Sequence, residues 1–189
     1  MTTVTDLKIV NLNLRPSNKK DKKDIKEDAK PSEKTPKKRV VTETAKWSFK
    51  VCELNVEYEK QLIDEIYKNE IIHKDHCSFI IQQIHQKIYG YKSQDIHKNK
   101  LEPEKLVCLD NVIHLMIEKS NMCHYCKEPV RLLYENVREP KQWTLDRINN
   151  DFGHNNDNIF LACLSCNLRR RTMYHERYVF TKQLTITKV

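Results

Sequence analysis

The 189-residue sequence predicts an α+β protein in three consecutive parts. These are a disordered basic N-terminal tail (1–45), a small helical region (46–121) and a cysteine-bearing C-terminal module (122–189). Three observations predict this order. Residues 16 to about 45 hold no aromatic and few aliphatic side chains. Apolar residues then recur at helical spacing through the middle of the chain. Finally, two Cys-x-x-Cys pairs bracket a short polar segment that reads as strand, loop, strand and helix.

The tail cannot bury enough apolar surface to offset its ordering entropy, so disorder is expected there. Its Lys37-Lys38-Arg39 cluster suits a nuclear-import signal or a nonspecific nucleic-acid arm. Lys and Arg outnumber Asp and Glu by twelve to seven in residues 1–45 and by eleven to seven in 122–189, whereas the middle has eleven against twelve. The formal charge of +8 therefore sits at the two ends, which suits a polyanion such as DNA or RNA; a solubilising lysine excess would give the same total. No apolar run approaches the roughly 18–20 residues of a membrane span, and residues 1–15 lack the apolar stretch of a signal peptide. An intracellular location, cytoplasm or nucleus, is expected, with reduced cysteines. Cys52, Cys77 and Cys108 lie outside the paired motifs and are expected to be buried free thiols.

Ordered structure is expected from about Trp47. A first amphipathic helix is read over 56–73, where Leu62, Ile63, Ile66, Tyr67 and Ile71 share a face. A second runs over 78–89 with Ile80, Ile84 and Ile88 inward, closed by Gly90 as a left-handed cap. Pro103 is placed as the first residue of a third, which turns Leu109, Val112, Ile113 and Met116 to the core.

In the last part, Cys123 and Cys126 form one knuckle and Cys163 and Cys166 the other, with thirty-six residues between the pairs. Two such turns suit one closed, tetrahedral, structural zinc site, able to supply on the order of 10 kcal/mol of folding free energy. Residues 142–148 read as a strand, 149–157 as a loop rich in Asn, Asp and Gly, and 158–163 as the return strand. The segment from Ser165 onward reads as a helix that begins with Cys166, Asn167 and the run Arg169-Arg170-Arg171. Positive side chains at a helix N-terminus oppose its dipole, so contacts to DNA phosphates are expected of the three arginines.

The order Asp146-Arg147, His154, Asn158, Cys163-x-x-Cys166-Asn167 resembles the zinc-knuckle, four-cysteine branch of the HNH (ββα-metal) endonucleases, and the stretch 143–171 looks like HNH-type proteins of large DNA viruses and phages. The resemblance covers residues 123 to about 178. It implies a β-hairpin and helix around a catalytic Mg²⁺ or Mn²⁺ held by Asp146 and Asn167, with Asn158 bracing the loop. The family's general-base histidine falls on Arg147, a departure, because arginine stays protonated and can only hold phosphate or offset transition-state charge. His154 in the loop is then the nearest candidate base. The expected function is metal-dependent hydrolysis of DNA phosphodiester bonds, on double-stranded or branched DNA. A catalytically silent zinc-containing DNA-binding protein and a zinc-stabilised protein-interaction module fit the same four cysteines.

Overall fold

The structure, a computed structural model, describes residues 35–44 and 47–184. It is a mixed α+β arrangement, with six α-helices and a two-stranded antiparallel sheet among the described residues. The helices are α1 (Val40–Glu43), α2 (Val56–Lys68), α3 (Lys74–His97), α4 (Leu109–Glu118), α5 (Leu164–Arg170) and α6 (His175–Gln183). The strands β1 (Trp143–Arg147) and β2 (Ile159–Cys163) pair in a register running from Trp143 opposite Cys163 to Arg147 opposite Ile159.

Helix α2 starts where the Asn55 side chain accepts the Tyr58 N–H, and it stops short of the expected 73. Asn69 adopts a left-handed conformation (φ 57°), and the Glu65 carboxylate then accepts the N–H groups of Ile72 and His73, both at 3.0 Å. Those bonds fold the chain back toward α3, leaving Ile71 outside the helix. Helix α3 corrects the second expectation more deeply. It starts at Lys74 and runs through Gly90 to His97, with no left-handed glycine anywhere among the described residues. A mid-helix glycine weakens a helix by about 0.5–1 kcal/mol relative to alanine. The helix continues because Tyr91 packs on the core and Asp95 is fully buried beyond it. Helix α4 begins at Leu109, not at Pro103, with Cys108 N–H donating to the Asn111 side chain (3.0 Å); Val112, Ile113 and Met116 are buried as expected.

One buried cluster runs without a break from Phe49, Leu62, Ile84 and Met116 to Leu133, Trp143, Leu161 and Tyr178. The helical region and the cysteine module therefore share a core. Glu59 of α2, 1% exposed, is the polar seam between them: it accepts the Leu132 and Leu133 N–H groups (2.9 and 3.3 Å) and pairs with Arg131 (2.9 Å).

The ribbon is closed on both sides. Leu145 N–H donates to the Tyr91 hydroxyl (3.0 Å), Trp143 N–H to the Arg131 carbonyl (3.0 Å), and His124 N–H to the Leu161 carbonyl (2.8 Å). Lys87 covers the Trp143 ring at 4.2 Å.

The tail expected over 1–45 lies outside the described residues up to 34 and at 45. Residues 35–44 differ from that expectation. Arg39 N–H donates to the Glu135 carbonyl (2.8 Å), and its guanidinium stacks 4.1 Å over the Tyr134 ring, so this part of the basic cluster is docked. The three extra cysteines also divide: Cys77 is buried, but Cys52, within a short 3-10 turn, and Cys108, just before α4, are exposed. Among the described residues no helix is long and apolar enough to cross a membrane.

Candidate active site

The two knuckles bring Cys123, Cys126, Cys163 and Cys166 together with all four sulfurs within 4.8 Å of one another. A tetrahedral zinc with Zn–S bonds of about 2.3 Å needs S···S edges of about 3.8 Å. The Cys126–Cys163 pair already stands at 3.9 Å, and Cys163 N–H donates to the Cys123 sulfur (3.3 Å). The Cys123 thiol is pushed up to about 12, first by its hydrogen bond with Cys163 and then by burial. A cation would displace such protons, so the group is able to hold a metal ion such as zinc.

The second knuckle is also the junction of β2 and α5: Cys163 ends the strand and Cys166 lies in the helix, directly before Asn167. Helix α5 thereby leans on β1, and a cleft of about 280 Å³ opens beside the ribbon. Asp146, Arg147, His154 and Asn167 all line it, together with Tyr91 and Lys98 of α3 and its cap and with Arg171. Asn158 does not line the cleft. It braces the loop instead: its Oδ1 accepts the Asn149 N–H, and its amide donates to the carbonyls of Asn149 and Gly153, all at 2.9 Å.

Asp146 is 5% exposed, and both its oxygens are engaged. Oδ1 accepts from the Arg170 guanidinium (2.8 Å) and Oδ2 from the Tyr125 hydroxyl (2.7 Å). Tyr125 sits inside the first knuckle and so links the cysteine cluster to this carboxylate. Burial, followed by the bond to Asp146, holds the Tyr125 hydroxyl far above its ordinary pKa and keeps it a donor. The Asn167 amide nitrogen is committed to the Thr144 hydroxyl (3.1 Å) and the Leu145 carbonyl (3.3 Å), which leaves its oxygen as the side chain's remaining group. Each carboxylate oxygen carries two acceptor sites, so Asp146 and Asn167 retain the hard oxygen donors that Mg²⁺ takes alongside water and phosphate. The donor set fits such an ion, with Arg170 as a built-in competitor for Asp146.

Arg170 is the main correction to the expected phosphate contacts. It is 1% exposed, bonded to Asp146 and to the carbonyls of Arg147 and Ile148, and so is a clamp on β1 rather than a DNA contact. The dipole argument also changes sign. Helix α5 starts at Leu164 and ends at Arg170, so Arg169 and Arg170 occupy its last turn, where positive charge is favourable. Arg169 and Arg171 remain exposed. Arg171 ends the helix at a φ of 54° and joins Lys98, Lys100, Arg147 and Tyr174 around a second, adjoining cleft of about 570 Å³, whose one lining carboxylate is Asp151.

Arg147 turns its guanidinium back onto the Phe152 and Asn150 carbonyls (3.1 and 3.4 Å) while lining both clefts. His154 is 5% exposed, stacked on Tyr91 at 4.4 Å, with Nδ1 2.9 Å from Asp95. Burial lowers its pKa; Asp95 opposes that shift. Tyr134 lies under Arg39 and lines neither cleft.

Sequence reasoning missed Tyr91, Asp95, Lys98 and Tyr125. Tyr91 and Asp95 are four residues apart, the spacing of one helix face, which a longer reading of α3 would have exposed. Comparisons with family models, curated proteins and solved structures found no match to this chain.

Proposed function

We propose that the chain is a metal-dependent, HNH-type endonuclease that hydrolyses DNA phosphodiester bonds, built on a structural zinc. The observation that carries this reading is the convergence of Asp146, Arg147, His154 and Asn167 on one cleft beside the four-cysteine cluster. Zinc on Cys123, Cys126, Cys163 and Cys166 fixes α5 against the ribbon, and its thiolates call for a reducing compartment such as cytoplasm or nucleus. Asp146 and Asn167 would hold Mg²⁺ or Mn²⁺, which supplies Lewis-acid stabilisation of the leaving oxygen and the phosphorus centre.

The chain's own groups do the rest. Arg147 holds a non-bridging phosphate oxygen and offsets charge that builds in the transition state. His154 takes the proton of the attacking water. Lys98, Lys100 and Arg171 seat neighbouring phosphates along the adjoining cleft, a sequence-independent hold on DNA.

A second reading, a catalytically silent zinc-containing DNA-binding protein, is favoured by one observation: Arg170 and Tyr125 occupy both oxygens of Asp146. Supercoiled plasmid separates the two. Zinc-loaded protein is expected to nick it with added Mg²⁺ or Mn²⁺ and not without, while Asp146→Asn binds DNA but leaves it intact. DNA binding without nicking under every divalent ion would establish the silent reading instead.

A further inference from the structure

Behind His154, which lines the cleft, helix α3 places a group that the hairpin and knuckles do not contain. Asp95 is 0% exposed, and its carboxylate meets His154 twice. Oδ2 accepts the His154 backbone N–H at 2.7 Å, and the His154 ring nitrogen Nδ1 lies 2.9 and 3.0 Å from Oδ1 and Oδ2. One face of the ring is covered as well, because Tyr91 stacks on it with only 22° between the planes. Gly153 permits this approach: a Cβ there would stand 2.5 Å from the Lys100 carbonyl and 2.9 Å from the Asp95 carboxylate.

Resting on the nuclease reading above, we propose that Asp95 is the positioning residue of an Asp95–His154 dyad, which makes His154 the general base of this enzyme. A carboxylate on Nδ1 selects the tautomer with hydrogen on Nδ1 and leaves Nε2 as the basic nitrogen. In the step, Nε2 takes a proton from water, and the water oxygen bonds to phosphorus. The phosphorus–oxygen bond to the leaving nucleoside then breaks, and that oxygen takes a proton from solvent. The Asp95 carboxylate stabilises the imidazolium that forms. The base thus comes from the loop, and its orientation from the helical region.

The charges facing His154 are Asp95 from α3, Lys98 at the end of that helix and Arg147 from β1, with Asp146 and Arg171 lining the same cleft. Removing the Asp95 charge leaves only cations in direct electrostatic contact with the ring, so the imidazolium becomes harder to form. The acid limb of the rate profile must then move to lower pH.

The test uses the zinc-loaded full chain, with metal-dependent plasmid nicking followed across pH. Asp95→Asn keeps an acceptor for the His154 N–H but removes the charge. It is expected to lower kcat about 10²-fold with little change in KM, and to shift the acid limb downward. His154→Ala is expected to lose 10²–10⁴-fold, roughly the range for a missing base. The double variant should be no worse than His154→Ala alone. Nitrogen NMR of the wild-type histidines, with His154 assigned by His154→Gln, should show hydrogen on Nδ1; this reading needs no variant of Asp95 that folds. Hydrogen on Nε2 would overturn the proposal, as would an Asp95→Asn enzyme with unchanged rate and acid limb. A wild type that never nicks removes the nuclease reading itself. A wild type that nicks beside an unaffected Asp95→Asn removes the dyad alone.

Discussion

The cysteine module and the helical region reach the same cleft by opposite routes. In the module, residues close in sequence meet through short turns: Tyr125 lies between two zinc-type ligands, and Asn167 follows the fourth. Its geometry is local and depends on the cluster. In the helical region the contacts that reach the module are long-range. Asp95 stands fifty-nine residues before His154, and Glu59 more than seventy before Leu132, yet both are buried and hydrogen-bonded to those partners. The difference teaches that the module alone is an incomplete site. The cysteine cluster joins the hairpin to α5, while α2 and α3 supply the carboxylates that hold its loop and its flank.

The largest effect that could break this comparison comes from the cluster. Cys166→Ser, or removal of the metal by a chelator, should forfeit folding free energy on the order of 10 kcal/mol. Because one core spans both regions, the helical part should be lost in the same transition. Far-ultraviolet circular dichroism with zinc analysis reads this; helices surviving intact after metal loss would show two independent units. Next comes the seam. Glu59→Ala leaves Arg131 without its buried partner and two N–H groups unpaired, and should destabilise by about 3–5 kcal/mol in denaturant titration. A change under 1 kcal/mol would mean that the regions do not depend on each other there.

Smaller again is the electrostatic test. Lys98→Gln with Arg171→Gln should reduce the slope of log affinity against log salt by about 2 and leave folding intact, whereas replacing Arg170 should unfold the site. Equal behaviour of the two sets in DNA-binding titrations would contradict the assignment of Arg170 as a clamp. The smallest effect sharpens the reading of α3. A Cβ at Gly90 meets nothing within 4 Å, so Gly90→Ala should stabilise by about 0.5–1 kcal/mol, measurable as a raised Tm. A destabilised variant would mean that the helix needs its glycine.

Much of the module was legible in the sequence because its signals are short-range. Knuckle spacing, the strand-forming Trp, Thr, Leu and Ile of 142–148 and the turn formers of 149–157 each constrain only a few neighbouring residues, and Asn158 does stand as the loop's brace. What was not legible depends on contacts between distant segments. Gly90 is a residue of helix ends, but packing of Tyr91 on the core and burial of Asp95 outweigh its local preference. Arg170 reads as one of three equivalent surface arginines, and only the fold shows that its neighbours face solvent while it meets Asp146. The arginine run was placed at a helix start because nothing in sequence marks Arg171 as the end; its left-handed backbone is a product of the turn into α6.

A two-strand ribbon is ordinarily open to further pairing along both flanks. Here those flanks are occupied by one tyrosine hydroxyl, the Arg131 carbonyl and a knuckle amide. Two of these three guards belong to segments anchored by the cysteines or by Glu59. Stripping the metal would therefore uncover, along with a disordered loop, a short β-rich edge containing Trp-Thr-Leu and Ile-Phe-Leu-Ala. The form in which this protein fails is then a matter of concentration: dilute apo-protein should remain dissolved, and concentrated apo-protein should come out of solution as intermolecular sheet.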